Sequence, residues 1–107
     1  MSRPLFSILL PSRNRAELLR HAVDSVLAQG FGAEVEIIVS DNASVPSYWP
    51  YVASLGDVAA RSLRSETSLP VTENWNRALA AATGRYVIML GDDDALAPGW
   101  LDRARDL

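Results

Sequence analysis

The sequence predicts a three-layer α/β/α domain on a mostly parallel β-sheet. Near-continuous apolar runs at 5–10, 35–39 and 86–90 have the composition of strands buried on both faces. Before the second and third runs, apolar residues recur at three- and four-residue spacing, the stripe of an amphipathic helix. Strand and helix alternating in this way point to parallel pairing. The 107 residues suit one domain, 1–107.

Leu5 to Leu10, ended by Pro11, forms the first strand. The first helix carries Leu19, Ala22, Val23, Val26 and Leu27 on one face, with His21 on the polar side. Asn14 followed by Glu17 resembles a capping box, and Gly30 suits the helix end. The second strand, Val35 to Val39, runs into Ser40-Asp41-Asn42, completing a βαβ unit with an expected right-handed crossover. Pro46, Pro50 and Gly56 punctuate the next stretch, which holds a short helix near Tyr51 to Leu55 and a short edge strand at 61–64. Val71, Trp75, Ala78, Leu79 and Ala82 mark a second amphipathic helix closed by Gly84, with Trp75 expected in the core. Tyr86 to Leu90 reads as another buried strand leading into Gly91 and Asp92-Asp93-Asp94. A last helix starts near Pro98-Gly99 and runs to Leu107.

Composition narrows the chemistry. All ten basic residues are arginine, so a phosphate-loop lysine, a Schiff base and the lysine of a phospho-acceptor signalling domain are excluded. The chain has no cysteine, which removes disulfides, thiolate metal sites and thiol nucleophiles and fits a cytoplasmic setting. A net charge of -3 gives no electrostatic grip on nucleic acid. No glycine-rich turn follows the first strand, against a dinucleotide-binding domain. The early apolar run is too short for a secretory signal or a membrane span.

Ligands of open parallel sheets bind beyond the carboxyl ends of the strands. Three such ends are polar here: Pro11-Ser12-Arg13-Asn14-Arg15, Ser40-Asp41-Asn42 and Asp92-Asp93-Asp94. Three adjacent carboxylates need a neutralising cation or raised pKa values, unless they form a solvated helix-capping turn. Oxygen ligands without His or Cys favour Mg²⁺ or Mn²⁺. Asp41 could accept from a nucleobase imide or ribose hydroxyl, or serve an Asx-turn. Arg13 and Arg15 could contact a base or phosphate, or be solvated; Asn14 is either a contact or a cap. Asn76 lies off the apolar stripe, where it could face the site.

Five segments together resemble family-2 nucleotide-sugar glycosyltransferases of the GT-A fold. They are Ser7 to Arg15, Asp24 to Gln29, Glu36 to Ser44, Asn74 to Leu79 and Gly84 to Asp94, within a similarity running from Pro4 to Leu101. The resemblance implies the Rossmann-like nucleotide-binding half of that fold. It further implies a metal-dependent, inverting transfer of sugar from a nucleotide-diphosphate donor, a UDP-sugar, to the hydroxyl of a glycan or lipid-linked acceptor. The setting implied is cell-surface polysaccharide biosynthesis in the cytoplasm or at the inner face of the membrane. Pro11, Ser12, Arg13, Asn14, Asp41, Asn76 and Asp92 would contact the donor, and Asp93, flanked by Asp92 and Asp94, would ligate the metal. Arg13 stands where many relatives carry an aromatic, Trp75 where an arginine is frequent, and Gly91 where the metal motif has its first carboxylate. The catalytic base is expected beyond Leu107, making this chain the donor-binding half. A non-catalytic nucleotide-binding or regulatory module is the alternative, and exposed apolar sheet edge would favour homo-oligomers.

Overall fold

A computed structural model of the chain describes residues 3–56 and 59–107. Four strands, β1 (Phe6–Ser12), β2 (Val35–Asn42), β3 (Ala59–Ser65) and β4 (Tyr86–Met89), form one all-parallel sheet in the order β3-β2-β1-β4. The helices are α1 (Ala16–Leu27), α2 (Trp49–Ala53), α3 (Val71–Ala81) and α4 (Trp100–Arg105).

The two-residue period of the strands divides the core. Phe6, Ile8, Leu10, Ile37 and Val39 pack with Leu19, Ala22, Val23 and Val26 of α1, Val52 of α2 and Leu101 of α4. Leu9 and Ile38 face the other way, onto Ala78 of α3. Three layers result, as the alternation of apolar runs and stripes predicts. Each fully buried Leu or Ile contributes about 1.5–3 kcal/mol, and β1 and β2 supply most of them. None of the described helices is long and apolar enough to cross a membrane.

Three local expectations give way to tertiary structure. Asn14 does not cap α1; Arg15 holds the N-cap position without a side-chain hydrogen bond. Asn14 instead takes a left-handed φ of 52°. Its Oδ1 accepts from Val45 N–H at 2.8 Å and its N–H donates to Ser44 Oγ at 2.9 Å, tying the β1–α1 turn to the β2–α2 loop. Gly84 does not terminate α3, which ends at Ala81. A Cβ on Gly84 would lie 2.7 Å from both the N and Oγ of Ser7, so the glycine permits close approach to β1.

Nor is β4 buried. It is an edge strand, with Tyr86 53%, Val87 43% and Met89 40% exposed. α3 and the C-cap Ala82 that follows it lay Ala78, Ala81 and Ala82 against the centre of the sheet, leaving Val71, Trp75 and Leu79 exposed.

Candidate functional site

Chain order reverses across the sheet. β1, β2 and β3 step outward in one direction, and α3 then returns the chain to β4 on the opposite side of β1. The loops after β1 and β4 therefore diverge, which opens a crevice at their carboxyl ends. Ser12 lies in register with Asp41, and Leu90 N–H donates to Leu9 O at 2.9 Å, extending the β1–β4 pairing towards the acidic turn. All three polar strand ends thus meet on one edge, as their positions in the sequence imply.

A cavity of about 670 Å³ occupies that edge. Pro11, Ser12, Arg13 and Arg15 line one side; Asn42, Val71, Asn74 and Trp75 line a second; Met89 and Gly91 to Asp94 complete it. The volume is within the range of small-molecule sites, roughly 300–1,000 Å³.

The acidic turn is built around Gly91. Asp94 N–H donates to Gly91 O at 3.0 Å, closing a four-residue turn. A Cβ on Gly91 would sit 2.8 Å from Asp94 Oδ2 and 3.1 Å from Asp93 Oδ1, so both carboxylates fold over the space the glycine leaves. Asp93 and Asp94 are exposed.

Asp92 differs from them. It is buried; its Oδ2 accepts from Ser12 Oγ at 2.7 Å and its Oδ1 lies 3.4 Å from Arg15 Nη1. Ser12 has one proton and gives it to Asp92, so the Tyr48 hydroxyl, 2.8 Å from Ser12 Oγ, is the donor in that pair. Tyr48 Oη in turn accepts from Arg15 N–H at 2.9 Å. A directed chain of hydrogen bonds, Arg15 to Tyr48 to Ser12 to Asp92, ends on the carboxylate. Because Asp92 is turned this way, the three carboxylates do not converge on one point. Among the described residues no group of three or more His, Cys, Asp or Glu side chains is disposed to hold a metal ion. Asp93 and Asp94 still fit a hard divalent cation, since Mg²⁺ commonly takes one or two carboxylates and completes its shell with phosphate and water.

Asp41 does not open into the cavity either. It is wholly buried; Oδ1 accepts from Ser44 N–H at 3.0 Å, and Oδ2 from Tyr48 N–H and Arg64 Nη1, each at 3.0 Å. The carboxylate organises the β2–α2 loop, and so places Tyr48, rather than lining the cavity. Strand period explains the exchange: Asp41 shares a face with Ile37 and Val39, while Asn42 shares one with Ile38 and lines the cavity. Alternation along β2 already carried that signal. Asn42 is fixed from both ends of its amide, donating to Leu69 O at 2.9 Å and accepting from Leu69 N–H at 2.7 Å.

α3 shows a similar exchange. Asn76 is exposed and outside the cavity, whereas Asn74 lines it, bonded through Nδ2 to Ser40 O at 3.1 Å and through Oδ1 to Ser40 Oγ at 2.6 Å. Trp75, expected in the core, is 45% exposed on the cavity wall. Arg13 lines the cavity, its Nη1 donating to Ser68 Oγ at 2.6 Å. Asn14 stays outside, engaged with the β2–α2 loop. Tyr48 was not indicated by any local pattern, because its role depends on a loop that only the fold brings to β1.

A parallel sheet with this cavity at its switch point defines an open α/β architecture of the kind that takes small-molecule ligands beyond its strand ends. The chain belongs to glycosyl transferase family 2, whose model matches residues 7–106. It is 32% identical over 101 residues to the putative colanic acid biosynthesis glycosyl transferase WcaA of Escherichia coli, covering 94% of this chain and 36% of that protein. Among solved structures it superposes on S. aureus TarS 1-349 in complex with UDP-GlcNAc, with a TM-score of 0.82 and 24% identity over 94% of this chain and 30% of that one. The mannosyltransferase PcManGT of Pyrobaculum calidifontis, in complex with GDP-Man and Mn²⁺, gives a TM-score of 0.83 at 23% identity over 98% of this chain and 32% of that one. The chain thus spans about a third of the length of WcaA, of the TarS 1-349 fragment and of PcManGT.

Proposed function

We propose that the cavity binds the nucleoside diphosphate of a nucleotide-sugar donor together with Mg²⁺ or Mn²⁺, as the donor half of an inverting glycosyltransferase. The observation that carries this reading is the juxtaposition, at the sheet's switch point, of an arginine-bearing turn after β1 and an acidic turn after β4. Family membership and the nucleotide sugars held by TarS and PcManGT support the same donor class.

Each wall has a part in this binding. Pro11, Arg13 and Asn42 line the cavity and would surround the base, on which the Arg13 guanidinium can stack. Asp93 and Asp94 would hold the cation, which stabilises negative charge developing on the departing diphosphate. Ser12, itself held by Tyr48, fixes the orientation of Asp92 through the hydrogen bond that it donates to the carboxylate. The donor read from the resemblance is a UDP-sugar, and the acceptor a glycan or lipid-linked hydroxyl at the inner face of the membrane. Homo-oligomers are part of the same proposal, since Val87 and Met89 leave an apolar edge exposed.

Calorimetric titration with UDP, with and without Mn²⁺, tests the donor site; saturable binding strengthened by the metal is expected. No binding under either condition contradicts it. Donor hydrolysis and sugar transfer measured on the same protein separate a transferase from a module that only binds.

A further inference from the structure

The two arginines of the cavity are held differently. Arg13 donates a short hydrogen bond to Ser68 Oγ, 2.6 Å away. Arg15 is anchored through its backbone, whose N–H donates to Tyr48 Oη. Its guanidinium, with the side chain 54% exposed, makes one long contact, 3.4 Å from Asp92 Oδ1. A pair so long and so exposed is weak, because solvent screens it and the flexible side chain has little to hold it in one geometry. Asp92 has less freedom, since it is nearly buried and Ser12 fixes its other oxygen. In this pair the arginine is the partner free to leave.

Resting on the donor-binding reading above, we infer that Arg15 is a resident counter-cation: it neutralises Asp92 while the cavity is empty and moves to the diphosphate when a nucleotide enters. A diphosphate is a stronger competitor for a guanidinium than one carboxylate, because it carries more negative charge. The side chain starts within the cavity, so the exchange needs only rotation about its own bonds. Arg15 and the divalent cation then neutralise the same ligand charge, and their contributions are less than additive. Arg15 is thus a binding residue that lessens the dependence of nucleotide binding on metal.

UDP titrations of the wild-type chain, Arg15→Ala and Arg15→Lys, in EDTA and in saturating Mn²⁺, test this. Arg15→Ala should fold normally, because the substitution keeps the N–H bonded to Tyr48 and removes an exposed side chain; circular dichroism checks it. In EDTA, Arg15→Ala should weaken binding roughly tenfold, the size of one charged hydrogen bond. In Mn²⁺ the loss should shrink to about twofold, because the metal supplies much of the same neutralisation. Arg15→Lys should recover most of the metal-free affinity, since charge rather than fork geometry is what the site uses. Equal losses with and without metal would overturn the inference, because a merely structural role lowers both alike. Wild-type binding that requires Mn²⁺ absolutely would also overturn it while leaving the donor site standing. Absence of wild-type binding in both conditions would remove both.

Discussion

Gly84 and Glu36 meet at Ser7, and together they show how single residues hold the sheet to the turn before β4. Ser7 Oγ donates to Glu36 and accepts from Gly84 N–H at 2.8 Å. Gly84→Ala would drive a methyl group into the Ser7 backbone, and denaturant melts should show a loss of about 1–3 kcal/mol. Unchanged stability would mean that the backbone there can yield. Burial alone would raise the Glu36 pKa, but hydrogen bonds from Ser7 and from the Thr83 N–H and hydroxyl, with the Arg61 charge, outweigh it and hold the carboxyl below its ordinary value near 4.5. A depressed carboxyl contributes stability in full above that ordinary value and loses it as pH falls through the lower folded value. Between neutral pH and pH 3, the urea midpoint of wild type should therefore fall more steeply than that of Glu36→Gln; parallel curves would contradict this. Neither contact is visible in sequence, because Ser7, Glu36 and Thr83 are distant in the chain and ordinary in composition.

Among elements, the β2–α2 loop connects strand chemistry to the cavity. Asp41 gathers the N–H groups of Ser44 and Tyr48, and Tyr48 passes that order on to Ser12. Ala43 within this loop holds a left-handed φ of 57°, a region where a Cβ costs about 1–2 kcal/mol. Ala43→Gly should relieve that strain and, after the added chain entropy of glycine, stabilise the protein by about 0.5–1 kcal/mol. Thermal melts would show it as a raised midpoint; a lowered one would place the loop's strain elsewhere. β1, α1 and β2 were legible from periodicity because packing there follows local pattern. The exchange of Asp41 for Asn42 was legible in principle, since residues two apart along a strand share a face. Trp75 was not, because the α3 stripe is wider than the sheet surface it covers. Val71, Trp75 and Leu79 carry helical spacing yet lie exposed.

For the whole molecule, strand order decides function more than any motif does. The acidic turn, the arginine turn and the end of β2 meet because β4 joins the sheet beside β1, and an order placing it beyond β3 would separate them. The sequence places polar clusters at the ends of strands, but adjacency of those ends is a property of topology. Asp93 and Asp94 remain the expected cation ligands, with Asp92 held back by Ser12. Paramagnetic broadening in amide NMR spectra, with substoichiometric Mn²⁺ and saturating UDP, locates the cation directly. The signals of Gly91, Asp93, Asp94 and Ser12 should broaden first, while those of Phe31 and Gly32, between α1 and β2 at the opposite end of the sheet, should stay sharp. Broadening centred elsewhere, or none near Asp93 and Asp94, would contradict a metal-assisted diphosphate site at the switch point.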